Sequence, residues 1–392
     1  MKLFPNHIIT LLLFLLAQDI FAQEQVIPLS SNIIYQTTKK PSPAVKKTRA
    51  TLPFIDDFAY EGPFPDPSLW IDHKVFINNT MSADPITRGV ATFDGLNEFG
   101  RPYFPESFTT GLADSLTSVS LNLSGYTDLD HIYMSFYYQP QGLGFAPENG
   151  DSLFLFFKNN ANQWVRAWQA KGTPYQGFKI VLLPIEDAQF LHNDFQFRFV
   201  NIASLNINDD VWNIDYVKID VNRTIDDTVL NDIGFSVEPS SILKNYTSMP
   251  YRHFSINQAN EKSVEQKITI GNLYAIPHFL GTKLQVNESI SSTSIHSNTL
   301  PTVPIGAKIY LQQSFASYPI SYTPPLTTSK VQLRNTYFYS PVNATDNTRN
   351  DTISRETIFD NYFAYDDGSA EKSYFLLAAT NFAAKTALQF TL

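Results

Sequence analysis

Phe195-Gln196-Phe197-Arg198-Phe199 alternates aromatic and polar side chains without a break. Successive side chains of a β-strand point to opposite faces of the sheet, so the three phenylalanines share one face and Gln196 and Arg198 share the other. This two-residue period is typical of a strand with one buried face. The segment therefore predicts a β-sheet that packs on a hydrophobic core.

Short aromatic and β-branched runs of the same kind lie on both sides of this segment, and strong turn formers separate them, as at residues 140–144 and 148–151. No long amphipathic helix interrupts the pattern. Residues 51–222 are therefore predicted to form one all-β domain. Residues 223–345 show shorter runs broken by prolines, which favours a smaller immunoglobulin-like β-sandwich without the cysteine pair of antibody domains.

A phrase of the form Phe, three residues, Phe-Ala-Tyr occurs twice, at residues 54–60 and 359–365. Repetition over such a distance suggests two related β-domains, each opened by the same kind of strand. The first copy has a long body after it, whereas the second precedes only a short stretch. Residues 355–392 are accordingly expected to be an incomplete third β-domain.

Composition restricts the class of protein. The chain has 392 residues, of which 43% are hydrophobic and 14% aromatic, enough for cores in two or three domains. The formal net charge is −9, which argues against a nucleic-acid partner because phosphate binding needs clustered lysine and arginine. An exported chain of this size with no cysteine fits a bacterial envelope or extracellular protein better than an animal secreted one.

The N-terminal region resembles a secretory signal. Lys2 precedes an apolar run at residues 8–16, and Ala22 offers a small residue for cleavage. That run is too short to span a bilayer comfortably. Residues 1–22 are therefore expected to be a signal peptide, 23–50 a flexible linker, and the mature chain an exported protein that does not span the membrane.

Several motifs in the first predicted domain resemble a known group of proteins. They are Leu52-Pro53-Phe54-Ile55-Asp56-Asp57-Phe58, Pro65-Asp66-Pro67-Ser68-Leu69-Trp70, Gly89-Val90-Ala91-Thr92-Phe93-Asp94-Gly95-Leu96 and Asp210-Val211-Trp212-Asn213-Ile214-Asp215-Tyr216-Val217. The chain is similar to Bacteroidota surface and secreted proteins, many exported by the type IX secretion system. The first domain resembles jelly-roll domains of the MAM and concanavalin-like type. The resemblance implies a jelly-roll β-sandwich that binds glycans or proteins, or acts as a spacer.

Aspartates near the first and last strands of this domain are candidate metal ligands. The first and last strands of a jelly roll often lie side by side, so Asp57, Asp210 and Asp215 are candidates for a structural Ca²⁺ site. The alternative is that these acids belong to turns and edge strands and face solvent.

Tryptophans are candidates for a glycan-binding surface, because their rings stack on sugars. Trp164 and Trp168 are an even number of residues apart and would share a face on a regular strand. An exposed pair would form a binding platform, whereas a buried pair would belong to the core, where tryptophan is usually found.

Catalytic signatures are missing from the sequence. It has no paired-carboxylate spacing of a glycoside hydrolase, no Gly-x-Ser-x-Gly elbow, no HExxH and no phosphate-binding loop. The leading hypothesis is a non-enzymatic cell-surface protein whose tandem β-sandwiches serve adhesion or envelope assembly by binding a glycan or a surface protein. The alternatives are a carbohydrate-binding accessory region of a larger secreted hydrolase and a component associated with the outer-membrane secretion machinery.

Overall fold

A computed structural model describes residues 23–40, 49–325, 330–341 and 347–377. The chain divides into two compact units. One contains an antiparallel pair of strands, β1 (Gln23–Ile27) and β20 (Ser373–Leu377). The other spans Pro28–Glu371 and holds the remaining elements described below.

Ten strands of the larger unit build the first β-sandwich. They are β2 (Phe54–Asp56), β3 (Phe76–Asn78), β4 (Val90–Phe93), β5 (Thr110–Thr117), β6 (Tyr133–Pro140), β7 (Ser152–Lys158), β8 (Trp164–Lys171), β9 (Lys179–Pro184), β10 (Phe197–Ser204) and β11 (Trp212–Asp220). One sheet has the order β5-β10-β7-β8. The other has the order β3-β4-β11-β6-β9, with β2 also paired to β11.

The two sheets of this sandwich bury one face each against a shared core. Phe195, Phe197 and Phe199 are all fully buried, which confirms the face predicted from their alternation. Phe199 of β10 meets Phe136 of β6 edge to face, with ring centroids 4.9 Å apart. Aromatic contacts of this geometry add to the free energy of burial, so they help hold the sheets together.

Strand β11 lies inside its sheet and has hydrogen-bonded neighbours on both edges. It pairs with β6 on one side and with β4 and β2 on the other, and all of its residues except Asp220 are buried. The pairing of β2 with β11 confirms the expectation that the first and last strands of this domain lie side by side.

Eight further strands form a second β-sandwich. They are β12 (Ile233–Phe235), β13 (Glu265–Asn272), β14 (His278–Glu288), β15 (Thr293–Thr299), β16 (Val303–Ile305), β17 (Ile309–Ala316), β18 (Val331–Pro341) and β19 (Thr352–Phe359). The sheets β12-β13-β17 and β15-β14-β18-β19 enclose a second core, with β16 paired to β14. The all-β class predicted from the sequence is thereby confirmed.

Helical structure in the described residues is short. The helices are α1 (Ile33–Thr37), α2 (Tyr251–Ile256) and α3 (Gln258–Glu261), with single 3-10 turns at Asp128–Asp130 and Arg349–Asp351. Helix α1 lies in the segment expected to be a linker, and its buried Tyr35 packs 5.3 Å from the ring of Phe64. Within the described residues, no helix has the length and apolar character needed to cross a bilayer.

The two copies of the repeated phrase occupy different local structures. Phe54 begins strand β2, whereas Phe359 ends strand β19, so the expectation that both copies open with the same kind of strand is wrong. Phe359 and Phe363 pack with the core of the second sandwich. The domain boundaries drawn from the sequence stay predictions, and residues 378–392 of the predicted third domain lie outside the described residues.

A network of buried polar side chains joins the two sandwiches. The Asn350 amide donates to Asp57 Oδ2 at 2.9 Å and to Asp232 Oδ2 at 2.7 Å, and the Tyr216 hydroxyl donates to Asp232 Oδ2 at 2.9 Å. Gly234 makes room for this amide, since a Cβ there would lie 2.6 Å from Asn350 Cγ. Buried polar atoms cost free energy unless they are hydrogen-bonded, so these contacts tie the sandwiches together.

We expect Asn350→Ala to lower the free energy of unfolding by about 1–3 kcal/mol, because Asp57 and Asp232 would each lose a donor while remaining buried. Chemical denaturation measures this change. The exposed Asn260→Ala should change stability by less than about 0.5 kcal/mol. Equal stabilities for Asn350→Ala and the original protein would show that the network contributes nothing.

Candidate functional site

The outward face of the β5-β10-β7-β8 sheet is the first candidate site. Its side chains alternate along each strand with those that point into the core. We call the outward surface around Trp164 of β8 the Trp164 face. It consists of Leu112, Ser115 and Thr117 of β5, Ser152, Phe154, Phe156 and Lys158 of β7, Trp164, Arg166, Gln169 and Lys171 of β8, Arg198, Val200 and Ile202 of β10, and Gln196, which precedes β10.

The two candidate tryptophans do not share a face. Trp168 pairs with the buried Leu155, whereas Trp164 pairs with Lys158, because a β-bulge at Ala167 shifts the register of β8 by one residue. A bulge adds one residue to a strand and so reverses the alternation beyond it. The prediction of one shared face, made from even spacing, is therefore wrong.

Their surroundings differ accordingly. Trp168 packs edge to face on Phe136, with ring centroids 5.1 Å apart, and on Tyr138 at 4.9 Å. Trp168 thus belongs to the edge of the core, as the alternative interpretation held. Trp164 lies on the outward face, is partly buried as Trp168 is, and is not among the residues packed against the core of this sandwich.

An arginine holds the Trp164 ring in place. The guanidinium carbon of Arg198 lies 4.2 Å from the ring centroid, and Arg198 Nε donates to Thr117 Oγ1 at 2.7 Å. A guanidinium over an indole face is a cation–π contact. The rings of Phe154 and Phe156 lie 5.9 Å apart on the same face. The surface thus combines aromatic rings with an ordered hydrogen-bond donor.

The predicted metal ligands lie in two different places. Asp57 belongs to the network with Asn350 and also accepts from the Ala59 amide at 3.2 Å. Asp215 accepts from the amide of Thr87 at 3.1 Å. Burial raises the pKa of both carboxyl groups. Asp57 and Asp215 are therefore engaged by protein donors near the junction of the sandwiches and do not form one group with Asp210.

Asp210 instead meets two acids that the metal hypothesis did not include. Three carboxylate oxygens, one each from Glu148, Asp151 and Asp210, all lie within 4.8 Å of one another. Among the described residues, this is the one group of three potential metal ligands that lie so close together. Two oxygens on opposite sides of a single Ca²⁺ at ~2.4 Å would be ~4.8 Å apart, so the spacing suits a shared cation.

Several observations show that this cluster lacks positive charge. No lysine, arginine or histidine of the described residues forms an ion pair with Glu148, Asp151, Asp209 or Asp210. Asp210 Oδ2 accepts from the Ser204 amide at 2.7 Å, but its buried Oδ1 has no hydrogen-bond partner in the described structure. The donor set therefore fits a hard, oxygen-binding cation.

Electrostatics at the cluster follow from burial and crowding. Burial, together with the neighbouring Asp210, raises the pKa of Asp209 to about 6. Burial and the nearby Glu148 raise the pKa of Asp210 to about 6. Burial also raises the pKa of Asp151, with a further contribution from Asp210. Ionising these groups without a cation costs folding free energy.

Sequence reasoning missed Glu148 and Asp151 as ligands, because residues 148–151 have the composition of an ordinary turn. It placed Arg198 correctly on the polar side of its strand but gave it no role. Arg198 lies near Trp164 because β10, β7 and β8 pair in this order and register. The sequence of one strand does not reveal that pairing.

No protein-family model matches the chain, and no curated protein matches it. Among solved structures, the chain is similar to a β-glucuronidase of Bacteroides uniformis, with 11% identity, a TM-score of 0.28, and coverage of 65% of this chain and 27% of that chain. It is similar to a GH2 β-galacturonidase of Eisenbergiella tayi, with 7% identity, a TM-score of 0.30, and coverage of 75% of this chain and 44% of that chain.

A third similar structure is the tandem CBM22 domain pair of Paenibacillus barcinonensis Xyn10C. The identity is 7%, the TM-score 0.24, and the coverage 73% of this chain and 90% of that chain. The chain thus spans less than half the length of the two hydrolases.

We expect Asp210→Asn to stabilise the protein at pH 7 in the presence of a chelator. The pKa of Asp210 is raised from 3.8 to about 6, so the folded state disfavours the ionised carboxylate. The contribution of Asp210 to the free energy of unfolding therefore falls as the pH rises from about 3.8 to about 6. The variant lacks this titration and should unfold at higher denaturant concentration at pH 7, with the difference vanishing near pH 4.

The matched control is Asp226→Asn, which changes an exposed acid. It should follow the original protein at every pH. If Asp210→Asn also followed the original protein across this range in a denaturant titration, the carboxylate cluster would carry no electrostatic strain.

Proposed function

We propose that this chain is an exported, non-enzymatic glycan-binding protein and that the Trp164 face holds the sugar. The observation that carries the proposal is the partly exposed indole of Trp164, stacked on Arg198 and set among outward-facing side chains that include Phe154 and Phe156. Sugar rings expose C–H groups on one face and hydroxyl groups at the rim. An aromatic ring beside hydrogen-bond donors matches both.

The polar side chains around Trp164 support the same function. Lys158 Nζ donates to Gln196 Oε1 at 3.2 Å, Arg166 donates to Gln169 Oε1 at 3.2 Å, and the Gln169 amide donates to Ser152 Oγ at 3.0 Å. These contacts position amide and cationic groups along the sheet. Binding sites on rigid strands lose little conformational freedom when a ligand binds.

Export and surface location are part of the proposal and rest on the sequence. The apolar run at residues 8–16 with Ala22 supports cleavage of a signal peptide. The motifs at residues 52–58 and 210–217 support a Bacteroidota surface protein of the kind exported by the type IX system. Lack of a recognisable catalytic motif supports a binding role rather than catalysis.

We also propose a structural Ca²⁺ at Glu148, Asp151 and Asp210, in place of the set Asp57, Asp210 and Asp215 expected from the sequence. The close carboxylate oxygens and the unpartnered Asp210 Oδ1 support this ligand set. Glu148 and Asp151 precede β7, and Asp210 precedes β11, which belongs to the other sheet. A cation bound there would join the ends of the two sheets.

A glycan array probed with the purified chain tests the function. We expect binding to at least one polysaccharide, and Trp164→Ala should weaken it by about 2 kcal/mol or more, the scale of an aromatic hot spot. The control Phe279→Ala removes an exposed aromatic ring from the second sandwich and should bind normally. The proposal would be contradicted if Trp164→Ala bound as tightly as the original protein, or if the original protein bound no glycan on the array.

Calcium titration tests the metal site separately. Added Ca²⁺ should raise the melting temperature of the original protein and of Asp226→Asn but not of Asp210→Asn, because the cation binds only the folded state. Mg²⁺ should act more weakly, since it loses its waters reluctantly. An equal shift in Asp210→Asn, or no shift in the original protein, would rule out a cation at this cluster.

A further inference from the structure

We propose that the Trp164 face selects anionic polysaccharides, whose carboxylate or sulfate groups bind its cationic side chains. The inference rests on the glycan-binding function proposed above and names the class of glycan.

The side chains of the Trp164 face carry positive charge only. Lys158, Arg166, Lys171 and Arg198 point outward from β7, β8 and β10, and no outward side chain of the face is acidic. The acid Asp72 lies at its margin, where it accepts from Thr117 Oγ1 at 2.5 Å. Because the whole chain has a formal net charge of −9, a cationic face is not a consequence of composition.

Arg198 is held ready for an anion. Its Nε is bound to Thr117 Oγ1, and its guanidinium plane lies over the Trp164 ring at 4.2 Å. Within the described residues, nothing accepts a hydrogen bond from its terminal amino groups. A planar fork with free donors matches the two oxygens of a carboxylate, and its fixed position reduces the entropy lost on binding.

The arrangement of aromatic and cationic groups favours a charged sugar over a simple polyanion. Arg166 pairs across the strands with Phe156, which in turn pairs with Arg198, so the Phe156 position lies between two arginine positions in the sheet. A uronic acid or sulfated sugar presents both an apolar ring face and an anionic group. Such a residue can contact the aromatic rings and the guanidinium groups at once.

A matched pair of polysaccharides tests the inference. Polygalacturonic acid and its fully methyl-esterified form share one backbone and differ in charge, and polyglutamate supplies the charge without sugar rings. We expect the purified chain to bind polygalacturonic acid at least about tenfold more tightly than either of the others, with affinity falling as salt is raised. Isothermal titration calorimetry measures all three.

Two arginine substitutions test whether the Trp164 face causes the preference for the acidic polysaccharide. Arg198→Gln should weaken binding of the acidic polymer by about tenfold or more and reduce its preference over the esterified polymer. Arg252→Gln, at an exposed arginine of the second sandwich, should leave both unchanged.

Equal binding of the acidic and esterified polymers through Trp164 would overturn the anionic selectivity while leaving the glycan-binding function intact. Polyglutamate binding as tight as that of polygalacturonic acid would also overturn it, since sugar rings would then contribute nothing. Failure to bind any polysaccharide on the array would instead remove the function on which this inference rests.

Discussion

Strand β11 is hydrogen-bonded along both edges, and the principal features of the larger unit are positioned relative to it. Its Trp212 and Ile214 enter the core of the first sandwich, while Tyr216 reaches the buried network that joins the second. Asp210 lies two residues before its first residue and forms part of the carboxylate cluster. A shift of this strand by one residue would exchange its core and polar faces, so its register must be strongly specified.

Local sequence predicted the class of fold but not the site. Alternation at Phe195–Phe199 identified the buried face of one strand, because period-two patterning depends only on strand geometry. The same rule failed for Trp164 and Trp168, since a bulge at Ala167 depends on how β8 pairs with β7. Likewise, Asp210 was a sound candidate, but its neighbours Glu148 and Asp151 come from a loop that only the fold brings close.

Charge is distributed unevenly over the protein. Buried acidic side chains gather around Asp57 and Asp232 at the junction, around Asp210 in the carboxylate cluster, and at the pair Asp94 and Asp114, whereas the outward face of the β5-β10-β7-β8 sheet carries lysine and arginine. Asn350 satisfies the first group of acids with an amide. At the Asp210 cluster the buried Oδ1 of Asp210 has no hydrogen-bond partner among the described residues, and none of the outward side chains that define the Trp164 face is acidic. A cation is the simplest partner for the Asp210 cluster, and an anionic ligand is the simplest partner for the Trp164 face.

Hydroxyl-radical footprinting of the chain, with and without a saturating acidic oligosaccharide, tests most directly whether the Trp164 face is the binding surface. We expect oxidation of Trp164, Phe154 and Phe156 to fall when the ligand is added, and oxidation of Phe279 and of the core-edge Trp168 to stay the same. Unchanged oxidation of Trp164, with protection at another surface such as the cleft lined by Tyr35, Phe64 and Phe99, would contradict it.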